Sequence, residues 1–70
     1  MRKVYDNGEY LLGLCVDIKK YVEDNCYIDE LMEEIIEDLS NYKDTDIIVL
    51  HYELPMGYNI IKFDEKDITN

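Results

Sequence analysis

From residue 9 to residue 24 the apolar side chains recur at helical spacing. Leu11, Leu14, Cys15, Ile18 and Val22 form one stripe, widened by Leu12, Val16 and Tyr21. Glu9, Gly13, Asp17, Lys20 and Asp24 form a polar row at steps of three and four. A strand, with its period of two, would scatter that row over both faces, so the pattern predicts an amphipathic helix over 9–24. Gly13, on its exposed side, costs that helix about 1 kcal/mol relative to alanine. The stretch YDNGEY at 5–10 admits two readings. Asn7-Gly8 is a strong hairpin dipeptide, because both residues tolerate positive φ, and pairing would set Tyr5 opposite Tyr10. Asp6 with Glu9 is instead an acidic form of the capping box, with Tyr5 and Tyr10 at the staple positions. The unbroken polar row from Glu9 to Asp24 favours the cap.

Asp24-Asn25-Cys26 interrupts the pattern, and Asn25 suits either the end of the first helix or the cap of the next. Over 27–42, Ile28, Leu31, Met32, Ile35, Ile36, Leu39 and Tyr42 share one face and the rest is polar, which predicts a second helix. The short link implies an antiparallel helix pair with a common core. After a polar linker at 42–46 the period changes to two. Ile47 to Leu54 is rich in β-branched and aromatic residues, Leu54-Pro55-Met56-Gly57 reads as a type I turn, and Tyr58 to Phe63 returns. This predicts a β-hairpin over 46–63, followed by a charged tail at 64–70 that frays. Arg2 to Tyr5 adds a short third strand. The expected fold is α+β: a single domain over 1–70, with two antiparallel amphipathic helices packed on a small antiparallel sheet.

The hairpin is apolar on both sides. With Ile48, Leu50, Tyr52 and Leu54 facing the helices, Ile47, Val49 and His51 remain on the opposite face. In so small a chain this predicts cover from a second chain, as in a homodimer, or from the amino-terminal segment.

Composition narrows the function. Seventy residues bury roughly 60% of the surface of the unfolded chain, so the core is small. Seventeen Asp and Glu against seven Lys and Arg give a formal net charge of −10. Such a charge repels nucleic acid and anionic lipid and steers toward basic protein surfaces, which excludes direct nucleic-acid binding. No apolar run approaches 18 residues and no signal-peptide core follows Met-Arg-Lys, so a cytoplasmic protein without a membrane span is expected. Cys15 and Cys26 are too few for a disulfide framework, and one histidine cannot complete a zinc site. Both cysteines read as small buried hydrophobes. The glycine-bearing calcium loop is missing, and the glycines at 8, 13 and 57 stand too far apart for a phosphate loop, so no cofactor or metal is expected. His51 has no sequence neighbour suited to a triad, and exposed carboxylates without a cleft are poor acid/base catalysts. An enzyme is not expected.

The remaining signal is acidic. Between Lys20 and Lys43 there is no basic residue, while Glu23, Asp24, Asp29, Glu30, Glu33, Glu34, Glu37 and Asp38 supply eight acids. Asp29/Glu33, Glu30/Glu34, Glu33/Glu37 and Glu34/Asp38 are each four apart, so like charges stack at roughly 0.2 to 0.5 kcal/mol per pair. Glu37 and Asp38 also sit at the unfavourable end of the helix dipole. The plain reading is a solvated face. The functional reading is a docking surface for a basic groove, since carboxylates four apart have β-carbons about 5 to 6 Å apart, close to the phosphate spacing of a nucleic-acid strand. Tyr27 and Tyr42, at the ends of the acidic helix, either flank that contact or pack in the core.

In size, charge and its Ile/Asn/Lys/Asp/Tyr-rich usage, typical of AT-rich bacterial genomes, the chain resembles the small acidic inhibitors that bacteriophages and mobile elements direct at host nucleases. That class includes anti-CRISPR proteins, anti-restriction proteins and uracil-DNA glycosylase inhibitors. The resemblance implies a phage-type inhibitor that blocks the nucleic-acid site of a host nuclease, and it implies nothing about fold. The competing expectation is a dimeric regulatory or antitoxin-like assembly protein whose contact is the apolar hairpin.

Overall fold

The protein is described by a computed structural model covering residues 3–53 and 57–63. Its elements run β1 (Tyr5–Asp6), β2 (Tyr10–Leu14), α1 (Cys15–Asn25), α2 (Asp29–Leu39), β3 (Ile47–Glu53) and β4 (Gly57–Phe63). The strands form one open antiparallel sheet in the order β1-β2-β3-β4, with β1 and β4 as its edges. The helices leave the chain between β2 and β3 and cover one face of that sheet, so the fold is α+β as expected.

The amino-terminal third differs from the helix expected over 9–24. Residues 10–14 are strand, and α1 begins only at Cys15. Leu11 lies opposite Leu50 and is buried, while Tyr10 and Leu12 point away from the helices. Pairing on both sides, with β1 and with β3, outweighs a helical spacing that Leu11, Leu14 and Cys15 satisfy equally well. The side chains that fit a helix cap close a turn instead. Asp6 Oδ1 accepts the Gly8 N–H at 2.7 Å, and Asn7 Oδ1 accepts the N–H groups of Glu9 at 3.1 Å and Tyr10 at 2.8 Å. Gly8 has φ +92° and Glu9 does not share the positive φ, which excludes a type I′ tip. The register sets Tyr5 against Leu12 and Asp6 against Leu11, not Tyr5 against Tyr10. Gly13 has a role other than a weak point in a helix: a Cβ there would meet the Lys3 carbonyl at 3.3 Å and Val4 at 3.5 Å.

The switch from β2 to α1 happens without a loop or a side-chain cap. Leu14 holds the N-cap position in extended conformation, and the first free amides, of Cys15 and Val16, donate to the carbonyls of Asp46 at 2.8 Å and Asp44 at 3.2 Å. The 43–46 connection thereby caps a helix that begins some thirty residues earlier. Asn25 closes α1 by donating its side-chain amide to the Tyr21 carbonyl at 2.9 Å, and no described non-glycine residue has positive φ. Asn25 therefore neither turns left-handed nor caps α2, whose N-cap is Ile28. Ser40 ends α2, its hydroxyl donating to the Ile36 carbonyl at 2.8 Å.

Leu11 of β2, Cys15, Ile18 and Val22 of α1, Ile35 and Leu39 of α2, and Ile48 and Leu50 of β3 form the buried core. Cys15 belongs to it fully, its thiol donating to the Leu39 carbonyl at 3.3 Å, and burial raises its pKa above the usual thiol value. The hairpin over 46–63 has the expected strands. Its turn at 54–56 and the tail at 64–70 lie outside the described residues, as does Arg2 of the expected third strand, which falls at Tyr5–Asp6 instead.

The face of the sheet away from the helices is apolar across all four strands. Tyr5, Leu12, Val49 and Ile61 stand side by side in one register row, and Leu14, Ile47 and Phe63 in the next. In a third row His51 stacks on Tyr10, with ring centroids 4.5 Å apart, and approaches Glu53 at 3.6 Å.

Candidate functional site

Helix α2 carries the acids as its pattern requires. Leu31, Met32, Ile35, Ile36 and Leu39 turn inward, and Asp29, Glu30, Glu33, Glu34, Glu37 and Asp38 are all exposed. Glu23 and Asp24 are exposed in the last turn of α1. They lie on a different helix from the six of α2. The six share one helical face, which the sequence spacing dictates.

Counter-charges lie elsewhere. Among the described residues Lys19 pairs with Asp44 at 3.5 Å, Lys62 with Asp46 at 3.9 Å and His51 with Glu53, and none of the eight acids of the stripe takes part in an ion pair. Two of the seven cations, Lys19 and Lys62, reach the 43–46 connection, and no described ion pair reaches α2.

One end of the stripe is anchored to the sheet. The Tyr58 hydroxyl, on the inner face of β4, donates to the Asp38 carboxylate and lies 3.3 Å from the Glu34 carbonyl. Burial, and then the Asp38 carboxylate, raise the Tyr58 pKa well above that of a free phenol. Between α2 and β4 runs an open groove of about 710 Å³ lined by Glu34, Asp38, Asn41, Tyr42, Tyr58 and Asn59. Its lining includes the acidic residues Glu34 and Asp38, acceptor chemistry that suits a lysine or arginine side chain. Tyr42 packs against the core and lines this groove, whereas Tyr27 is 92% exposed in the link between the helices. The sequence held no sign of the Tyr58–Asp38 contact, which joins residues twenty apart.

Asp6 is another acid whose side chain is tied into the fold. It accepts from the hydroxyls of Tyr21 at 2.5 Å and Tyr52 at 3.5 Å as well as from Gly8, tying the first hairpin to α1 and β3. The Tyr21 hydrogen bond, then the Gly8 amide, lower its pKa. Asp6 therefore acts within the fold, as does Glu9, whose carbonyl accepts from the Tyr52 N–H at 3.0 Å.

No three His, Cys, Asp or Glu side chains among the described residues form a group that could hold a metal ion. No described helix is long and apolar enough to cross a membrane. Comparison with protein-family models, with curated proteins and with solved structures finds no match for this chain.

Proposed function

We propose that the chain is a non-enzymatic binding protein of the cytoplasm that docks Asp29, Glu30, Glu33, Glu34, Glu37 and Asp38, flanked by Glu23 and Asp24, on a basic protein. In its most specific form it is a phage-type inhibitor, of the anti-CRISPR or anti-restriction kind, that occupies the nucleic-acid site of a host nuclease. The observation that carries this reading is the uncompensated stripe: eight exposed carboxylates without an ion-pair partner among the described residues, in a chain whose described ion pairs hold other acids. Like charges at that spacing destabilise a helix, and a counterpart outside the chain would relieve that cost. A cationic channel supplies one, and seating the stripe there releases the ions the nucleic acid would otherwise displace.

The test is capture from host lysate with the wild-type chain and with a variant carrying Glu30→Gln, Glu33→Gln, Glu34→Gln and Glu37→Gln. The expected catch is a basic nucleic-acid enzyme that the variant fails to retain and that a DNA duplex displaces. Equal retention by both proteins would sink the reading.

A further inference from the structure

We infer that the outer face of the sheet is a self-association surface, on which a second copy of this chain packs face to face to make a two-fold β-sandwich with the helices outermost. The inference does not depend on the acidic stripe.

Register carries the first part of it. The row Tyr5, Leu12, Val49 and Ile61 crosses every strand, and Phe63 stands in the adjacent row. Tyr5 is 63%, Ile61 51%, Tyr10 40%, Phe63 38% and Leu12 36% exposed. At roughly 200 Å² per large side chain, these five leave about 450 Å² uncovered. The half-buried Leu14, Ile47, Val49 and His51 enlarge the patch. That is within the roughly 300–600 Å² of the largest apolar patch on a typical monomer, a patch that is often functional, and two copies together with the half-buried side chains reach the low end of specific interfaces, roughly 1,000 to 1,200 Å² in total.

Charge selects the occupant. The three charged residues of the strands are Asp6, Glu53 and Lys62. By strand alternation Asp6 and Lys62 belong to the helix side, leaving Glu53, beside His51, on the outer face, where the Lys3 ammonium also lies 5.8 Å from the centre of the Tyr5 ring and adds a positive charge. Two chains of charge −10 can therefore meet here with little like-charge contact, each placing its α2 acids on the far side. Segment 64–70 is a poor alternative cover, since DEKDITN supplies a single aliphatic side chain, Ile68, among four charges. Facing sheets within about 30° of alignment interdigitate such rows, and an isologous two-fold contact closes without leaving an open end.

The experiment is sedimentation equilibrium on the whole 70-residue chain, with circular dichroism to confirm folding. Wild type should have twice the 8.4 kDa chain mass, and the double variant Leu12→Lys/Ile61→Lys should have half the wild-type value. Tyr5→Lys, at the most exposed position of the row, serves as a second variant if the double one unfolds. Added salt should strengthen the association, because it screens the repulsion between two acidic chains, whereas docking through the acidic stripe should weaken. A wild-type monomer, a dimer that survives the lysine substitutions in a folded chain, or a dimer that dissociates as salt rises would each overturn the inference. The Gln variants of α2 should leave the dimer intact, so failure here and failure of the acidic docking reading are separate results.

Discussion

Neutralising the acidic stripe should make the protein more stable. Glu30→Gln, Glu33→Gln, Glu34→Gln and Glu37→Gln together break all four like-charge pairs four residues apart on α2, namely 29/33, 30/34, 33/37 and 34/38. Each pair costs roughly 0.2–0.5 kcal/mol, so about 1–2 kcal/mol should be recovered. Glutamine matches glutamate in helix propensity, and these side chains are solvent-facing, so packing and propensity hardly change. Glu30 loses a favourable interaction with the helix dipole at the amino end, and Glu37 loses an unfavourable one at the other, roughly 0.3–1 kcal/mol each and opposite in sign. The net gain is therefore about 1–2 kcal/mol, or about 4–15 °C in Tm at this chain length. Urea unfolding followed by circular dichroism at low salt measures it, at a matched chain concentration so that self-association contributes equally. In about 1 M salt the screening length falls to about 3 Å, below the separation of the charges, and the advantage should largely disappear. A variant no more stable than wild type at low salt, or one whose advantage ignores salt, would refute the claim that the stripe is electrostatically strained.

Three further outcomes follow from the same contacts. Because the folded-state pKa of Asp6 is lowered from 3.8, its contribution is complete above that value and is lost as pH falls through the lowered one. The stability lost between about pH 5 and about pH 2 should then be smaller in Asp6→Asn than in wild type, and equal slopes in urea titrations would contradict the assignment. Tyr58 has the opposite sign: with its pKa raised from 10.0, its contribution is intact below that value and disappears as pH rises through the raised one. Tyr58→Phe should remove a late-titrating phenol from the alkaline absorbance curve, whereas loss of an ordinary phenol would show that the Asp38 contact does not form in solution. A short polylysine at low salt should raise the Tm of wild type more than that of the fourfold Gln variant, and equal shifts would separate cation binding from the stripe.

Legibility in the sequence depended on whether a pattern had one structural solution. Helix α2 was readable because Leu31, Ile35 and Leu39 repeat at helical spacing between uniformly polar positions, and the acid face follows directly. The hairpin of β3 and β4 was readable from its β-branched run. Residues 9–14 were not, because YLLGL offers apolar side chains to either period, and only Leu50 opposite Leu11 shows which one applies. The decisive partners lie forty residues downstream, beyond any local window. Asp6 and Asn7 were ambiguous for a deeper reason: their side chains accept backbone amides two and three residues on, and that chemistry serves a helix cap and a turn alike. That ambiguity left only the β3 part of the outer sheet face, Ile47, Val49 and His51, readable from the sequence. With β1 and β2 read as a helix entrance, Tyr5, Tyr10 and Leu12 had no common surface with Ile61 and Phe63.

Helix α2 persists under its own repulsion because its inner face holds it. Ile35 and Leu39 are buried, and each contributes roughly 1.5–3 kcal/mol, with the half-buried Leu31, Met32 and Ile36 adding more. This outweighs a repulsion of about 1–2 kcal/mol, so the acids strain the helix without unfolding it. Among the described residues Lys19 and Lys62 pair with Asp44 and Asp46 and not with α2, so charge from outside the chain would relieve that strain. A cationic partner that binds the folded chain at a hundred times its dissociation constant adds about 2.7 kcal/mol to stability, which exceeds the strain it removes. The two surfaces therefore respond to ionic strength in opposite directions. Salt weakens a contact made by carboxylates on α2 and strengthens one made by Leu12, Val49 and Ile61, where the obstacle is repulsion between whole chains.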